Sequence, residues 1–431
     1  ASIMSDSTLD EKVYWHPDTD LDPGVEQSLP HTVQVLIVGG GYTGLSAALY
    51  LAQNGVQVAV VDREAGPGYG ASGRNAGMVL SGYPLDCSSL LGRFGTKRAK
   101  ALFSASLEAV ELVASLIKQG GIACDFQSTE HITAAVRSGH REWLHREQES
   151  MAQVSGRIPR VLDSKQMREE LGTGVYWGGL ADPWAASLNP ARYAAGLSSL
   201  AKAAGAAVFW DTAVEHIPQG RGNKQVQTSR GKIRAEKILV AANGLMHGLD
   251  SWLKRRVAPV ESVITATHKV PPQVMDSVLP GNKIVSDTKR VLHYFRRSPD
   301  GTRLLFGGRP PLLRGSLPKR AMALYTDMRA VFPQLQPYPP RWVWSGHVGF
   351  TRDHMPHVGK RDKMVYALGY CGHGIALATY LGRQAAKAVL EESLPDVPFP
   401  QASFPGFPTY GKRAWFIPPA LAWFSLLDRL G

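Results

Sequence analysis

Apolar positions along this chain follow two periods, and the switches between them mark its elements. Residues 35–38 form an unbroken apolar run that reads as a buried parallel strand, and over 43–54 the residues Leu45, Ala48, Leu49 and Ala52 recur at helical spacing. A second apolar run, VQVAVVDRE, ends in Asp62. Residues 90–119 carry Ala101, Leu102, Ala105, Leu107, Leu112 and Leu116 at helical positions. Strands are predicted over 124–136, and over 140–153 a polar helix whose charges form a solvated face. Asn189-Pro190 opens a helix over 191–204, ended by Gly205 and followed by the strands AAVFW and DTAVEHI. Residues 237–242 give another buried strand, closed by the turn Asn243-Gly244.

From 257 to 343 the pattern changes to extended, alternating segments separated by Pro-Gly and Asp-Gly breaks, the signature of antiparallel sheet. Residues 364–372 return as a strand and turn, and 375–390 as an Ala-rich helix. After Pro418-Pro419, residues 420–430 predict a helix that is apolar over most of its circumference. The order implies an α/β protein whose nucleotide-binding part is discontinuous, at 31–90, 160–250 and 340–395. A substrate part lies at 91–159 and 251–339, and 396–431 form a tail.

With 431 residues, 44% of them apolar, the chain has ample material for two cores. Three cysteines, Cys87, Cys124 and Cys371, without C-x-x-C spacing, argue against a disulfide framework and a zinc site, and point to a reducing cytoplasm. No apolar run approaches the roughly 20 residues of a spanning helix, and the N-terminal segment lacks a basic-then-apolar signal layout. The net charge of +12 is scattered in pairs such as Lys97-Arg98, Lys254-Arg255 and Arg296-Arg297. No nucleic-acid partner is therefore expected, and the charge reads as a solvated basic surface.

Between the first strand and the first helix lies Gly39-Gly40-Gly41-Tyr42-Thr43-Gly44, which fits G-x-G-x-x-G. Gly39 permits the tight turn, Gly41 lets the backbone approach a pyrophosphate at the helix N-terminus, and Gly44 allows close packing of helix on strand. Asp62, ending the next apolar run, is placed to accept hydrogen bonds from a ribose. Together they predict a dinucleotide site.

Three further blocks sharpen this: GASGRNAGM at 70–78, KILVAANG at 237–244, and a C-terminal pair, WSGHVGFTRDHMPHVG with ALGYCGHGIALATYLG. With the first block they resemble the D-amino-acid-oxidase-like family of FAD-dependent oxidoreductases, in its glycine and sarcosine oxidase branch. The chain is most similar to the γ-glutamylputrescine oxidase-like members, which share the ASGRN segment, an RLLFGG strand and a Pro-rich tail ending in an apolar helix. The resemblance implies a Rossmann-like FAD-binding domain with an interleaved antiparallel-sheet (α+β) substrate domain. It also implies noncovalent FAD, because Val348 and Arg74 stand where covalent members carry Cys or His. On this reading Gly39, Gly41, Thr43 and Gly44 hold the pyrophosphate, Asp62 and Arg63 the adenosine side, and Val214 and Ala242 the adenine side and the adjoining wall. Ala71, Ser72, Asn75, Gly77 and Met78 line the pyrophosphate and flavin. Gly372, His373 and Gly374 stand at the N-terminus of the last helix, facing the flavin edge where charge develops on reduction. Leu305 takes the place of a lysine that promotes attack by oxygen in sarcosine oxidase-like members, which calls oxygen into question as the natural acceptor.

The implied reaction is oxidation of a C–H bond beside an amine nitrogen to an imine that water hydrolyses. His373, Tyr294 and Arg309 are the expected catalytic residues, and His293, Arg297, His347 and Arg352 the expected substrate contacts. The arginines point to a carboxylate, which a guanidinium fork binds through both oxygens. The expected substrate is therefore a carboxylate-bearing secondary amine such as an N-substituted glycine or iminodiacetate. γ-Glutamylputrescine, a dehydrogenase serving a respiratory acceptor, and a flavin-binding subunit of an assembly are the alternatives. The tail helix packs on its own domain or a second subunit, or docks on the inner membrane face with help from Lys412, Arg413 and Arg429.

Overall fold

The computed structural model describes residues 9–16, 28–218, 220, 222–246, 248–310, 315–391, 398–399, 404–407 and 416–430. The strand Thr32–Val38 runs into the helix Tyr42–Gln53 and back to the strand Val58–Val61, which pairs parallel with the first, Val38 opposite Val61. On its other side Thr32–Val38 pairs parallel with Gly231–Val240, Val38 opposite Val240. Met364–Leu368 and Ala207–Phe209 extend the parallel core outward, and His357–Arg361, Lys224–Thr228 and Val214–His216 complete an eight-stranded sheet. The three central strands therefore end in step, at Val38, Val61 and Val240, and the residues that follow them share one edge. Ligand sites of open parallel sheets form at such an edge.

Gly44 shows why this turn needs its third glycine. A Cβ there would lie 1.8 Å from the carbonyl oxygen of Gly39, so any side chain would force the helix off the strand. The helix Tyr42–Gln53 is buried along most of its length between the sheet, the helix Pro190–Ala203 and the last core helix, Gly374–Glu391. A second core fills the opposite face of the sheet, around Leu36, Ile238 and Leu368.

The second sheet has nine strands and is antiparallel except where Ile284–Asp287 runs parallel to Gln127–Ala135. It takes in Arg160–Asp163, Gly178–Ser187 and Pro340–Thr351. The nucleotide-binding boundaries drawn at 160–250 and 340–395 are corrected accordingly: residues 160–187 and 340–351 build the substrate sheet. Gly178–Ser187 escaped notice because its Gly-, Pro- and Asp-containing run, GGLADPWAAS, has low strand propensity, and its pairing with Gln127–Ala135 overrides that.

Residues 257–343 are not all extended either. Leu317–Val331 is a helix with Pro at its first turn, and it buries Ala321, Leu324, Tyr325, Met328 and Val331 against the sheet. That spacing is helical. The tail helix runs over Ile417–Leu430, with Pro418 and Pro419 in its first turn, where a missing N–H costs nothing. Its carboxylate Asp428 accepts from the N–H groups of Arg290 (3.0 Å) and Val291 (2.9 Å), while Trp423, Phe424 and Leu426 stay exposed. Lys412 and Arg413, expected to aid membrane docking, lie outside the described residues, as does the side chain of Arg429. Among the described residues no helix is long and apolar enough to cross a membrane.

Two glycine substitutions test the packing of the first turn. Gly44→Ala is expected to lower stability by about 1–3 kcal/mol, the overpacking cost exceeding the ~1 kcal/mol that alanine gains in a helix. Gly92→Ala, in the helix Cys87–Gly120 with open space around its Cβ position, is expected to raise stability by up to ~1 kcal/mol. Denaturant midpoints of the two proteins moving in the same direction would contradict the assignment.

Candidate active site

At the sheet edge, Gly39 to Gly41 turn the chain from strand into helix, and the backbone N–H groups of the first helical turn face a cavity. A Cβ on Gly41 would lie 2.8 Å from Ser72 Oγ, so only glycine leaves this floor open. Asp62, at the end of the second strand, accepts from the N–H of Gly40 (2.5 Å) and of Glu64 (2.8 Å). Burial raises its pKa above the ordinary value. Ser72 Oγ accepts from the N–H of Tyr42 at 3.1 Å, and Thr43 Oγ1 lies 2.7 Å from the Tyr370 hydroxyl. Asn75 Nδ2 donates to the carbonyls of Ala71 and Ser72, and its Oδ1 accepts from the N–H of Gly77 at 2.9 Å.

The wall from Arg74 to Gly77 is held from behind by the second sheet and the N-terminal segment. Trp344 Nε1 donates to Arg74 O and Trp15 Nε1 to Asn75 O, each at 2.8 Å. Arg296, buried and without a carboxylate partner among the described residues, places Nη1 at 3.2, 2.9 and 3.0 Å from the carbonyls of Ala76, Gly77 and Leu188. Burial lowers its pKa to about 10, which leaves it charged at neutral pH.

The cavity runs from Asp62, Arg63 and Val214 at one end, past Ala71, Ser72, Asn75, Met78 and Ala242, to the substrate sheet. Gly372, His373 and Gly374 close it at the start of the helix Gly374–Glu391, where a positive helix end faces the space. Val348 and Arg74 also line it, and neither offers a nucleophile for covalent attachment.

Of the expected substrate residues, Tyr294, Arg309, His347 and His373 reach this cavity. The Tyr294 hydroxyl lies 2.7 Å from Ser262 Oγ. The Arg309 guanidinium stands 5.0 Å from the centre of the Phe350 ring, its Nε has no partner, and no carboxylate pairs with it among the described residues. Burial lowers its pKa.

His293, Arg297 and Arg352 are corrections, because their side chains are spent elsewhere. His293 Nε2 lies 3.2 Å from Asp327 and Nδ1 3.4 Å from Asp287. Burial opposes its protonation, but the two carboxylates outweigh burial and raise its pKa. Arg297 donates to the carbonyls of Val278 and Met275, and Arg352 is exposed near Gly406 O. Gly44 and Gly77 do not line the cavity. A Cβ on Gly77, whose φ is +70°, would lie 2.0 Å from Leu188 O, so this glycine serves the packing behind the wall.

Ser262, Ser286 and His131 line the cavity unannounced by any motif. His131 Nε2 lies 2.8 Å from Ser286 Oγ. Burial, then the nearby His373, lowers the His131 pKa to about 3, and burial lowers that of His373 to about 4.

The family described as FAD dependent oxidoreductase (DAO) matches residues 34–388. A probable oxidoreductase, OrdL, of Haemophilus influenzae is 31% identical over 362 residues, covering 83% of this chain and 82% of its own. The gamma-glutamylputrescine oxidoreductase of Escherichia coli is 29% identical over 405 residues, covering 93% of this chain and 94% of its own. Among solved structures, glycine oxidase from Geobacillus kaustophilus superimposes with a TM-score of 0.72 at 22% identity, covering 89% of this chain and all of its own. The open floor at Gly41, the acid at Asp62 and the positive end of the last helix fit FAD.

The two depressed histidines predict the pH dependence of stability. Both folded pKa values lie below the ordinary 6.5, so as pH falls through 6.5 the unfolded chain takes up protons that the folded chain refuses. Between pH 6.5 and 5, stability is expected to fall by up to ~1.4 kcal/mol per pH unit for each histidine. His131→Asn should remove the His131 contribution to that slope in urea unfolding. A slope unchanged by the substitution would show that His131 is not held neutral.

Proposed function

The chain belongs to the DAO family of FAD-dependent oxidoreductases, enzymes that oxidise amines and amino acids, and from that premise we propose that its substrate is a secondary amine bearing a carboxylate. One observation carries this reading: a half-buried arginine in the cavity, Arg309, whose Nε is buried without a hydrogen-bond partner and which has no acidic partner among the described residues. A half-buried guanidinium without a carboxylate leaves hydrogen-bond donors unused, and a substrate carboxylate can take them up by binding both arms of the fork. N-Substituted glycines and iminodiacetate carry the required groups at short spacing.

Gly39, Gly41, Thr43, Asp62, Ser72 and Asn75 would hold the dinucleotide, and Gly372 to Gly374 its redox end. Bound FAD supplies the two-electron acceptor for the hydride that leaves the carbon beside the nitrogen. The chain's own task is to bind, orient and dry the substrate. Arg309 and Tyr294, the latter fixed by Ser262, orient it from the carboxylate side. Met78, Ile264 and Leu292 give the cavity an apolar wall that excludes water. The start of the helix Gly374–Glu391 stabilises negative charge placed before it.

γ-Glutamylputrescine, a longer carboxylated amine, is the second reading, and the Escherichia coli relative of that name favours it. Anaerobic bleaching of the protein's yellow colour separates the readings. N-Substituted glycines should bleach it at low concentration, and bleaching by primary amines without a carboxylate, but by no amino acid, would remove the proposal. Arg309→Met should raise KM for the carboxylated amine roughly 30-fold or more, equivalent to ~2 kcal/mol, with a smaller change in kcat. An unchanged KM would take the carboxylate away from Arg309.

The tail helix offers a docking face for an anionic lipid surface. Trp423, Phe424 and Leu426 stand exposed, and the chain carries a net charge of +12. Aromatic and leucine side chains on a basic protein suit the headgroup boundary, and such a location suits transfer of electrons to a membrane-borne acceptor. Deleting residues 416–431 should abolish co-sedimentation with phosphatidylglycerol vesicles while flavin content stays normal. Equal pelleting of the two proteins would overturn the docking face.

A further inference from the structure

The cavity has a second polar cluster that the carboxylate reading leaves unused. His131 projects from the strand Gln127–Ala135, and Ser286 from the neighbouring parallel strand Ile284–Asp287, in which Ile284 pairs with His131. The 2.8 Å contact between His131 Nε2 and Ser286 Oγ fixes the ring. His373 lines the same space from the turn before the last helix, and its Nδ1 has no protein partner. Serine and the two histidines reach it from three separate segments, which local packing alone does not require.

The charge pattern of the lining is equally specific. Asp62 and Glu64 are its only acids among the described residues, and both belong to the dinucleotide end. No acid among the described residues therefore lines the cavity beside the histidines to hold an ammonium. Oxidation needs the nitrogen lone pair, which an ammonium lacks. A carboxylate beside the amine would favour the ammonium, whereas a neutral imidazole accepts an N–H hydrogen bond without fixing the proton. Burial keeps both rings neutral at physiological pH.

We propose that His131, seated by Ser286 and facing His373, accepts the N–H of the substrate amine, so that the cavity reads nitrogen at one end and carboxylate at the Arg309 end. The inference rests on the carboxylated-amine reading above. It makes His131 a catalytic residue in the strict sense, in contact with the reacting nitrogen, and Ser286 a positioning residue. The substrate enters as the neutral amine, its released proton having gone to solvent. The nitrogen lone pair then closes the C=N bond as the C–H electron pair departs to the two-electron acceptor of the established reaction.

Two flat, unreactive carboxylates of the same shape test this, pyrrole-2-carboxylate with a ring N–H and 2-furoate with a ring oxygen in its place. Each is titrated into the yellow holoenzyme and followed by the shift of the flavin spectrum. The wild-type protein should bind pyrrole-2-carboxylate about tenfold more tightly, the worth of one hydrogen bond with its partner left unpaired in the other case. In His131→Leu and His131→Phe, which have no acceptor, that preference should shrink to about twofold or less, with 2-furoate binding unchanged. Ser286→Ala, which keeps the imidazole and loosens it, should give an intermediate preference. Arg309→Met should weaken both ligands alike. A preference that survives in both His131 variants overturns the inference while leaving the carboxylate reading in place. If wild-type protein binds neither ligand and no carboxylated amine bleaches it, the underlying reading fails and takes the inference with it.

Discussion

A guanidinium buried without a carboxylate constrains everything around it. Arg296 sits on the substrate sheet, yet its hydrogen bonds reach Ala76 and Gly77 in the cofactor wall and Leu188 at the end of another strand. Because a buried charge must be compensated, these three carbonyls have to converge on one point, and the two sheets meet where they do. Gly77 is required for the same reason, since any side chain there would strike both Leu188 O and the guanidinium. The indoles of Trp15 and Trp344 complete the grip, and Arg296 also stands 5.8 Å from the Trp15 ring. The wall beside the cofactor is thus a rigid strip whose position is set from the opposite side of the molecule.

That rigidity gives the cavity a graded electrostatic profile. Acid stands at the dinucleotide end, a guanidinium without a carboxylate lies among aromatic and hydroxyl groups in the substrate sheet, and two neutral imidazoles line the same space. None of these groups neutralises another within the described residues. Each is left to be satisfied by something that enters, and binding energy is concentrated where a ligand must carry a matching group.

How far the sequence foretold this differs from element to element. The Gly39–Gly44 turn, Asp62 and the Gly372–Gly374 turn were legible because each depends on backbone geometry that only a few residue types permit, and such constraints leave a mark in local sequence. Arg309 and Tyr294 were legible through their place beside a Gly-rich strand. His131, Ser262 and Ser286 were not, because a polar residue on an alternating strand looks the same whether it faces solvent or a cavity. His293 and Arg297 misled for a related reason. Leu292 and Tyr294 on the same segment line the cavity, and only Asp287, Asp327 and the carbonyls of Val278 and Met275, all met through tertiary packing, show where these side chains go. The helix Leu317–Val331 was written in its own periodicity but lay among strand signals that outweighed it.

The cofactor pocket draws its floor from Gly39 and its far rim from Gly374, with the central strand Gly231–Val240 made in between. At ordinary rates of synthesis the ribosome needs roughly half a minute to travel between those two rims. Until Gly231–Val240 has been made, partway through that interval, Thr32–Val38 lacks its inner neighbour, and that edge carries unpaired backbone groups. The lining of the FAD site is therefore complete only when the helix Gly374–Glu391 has been made.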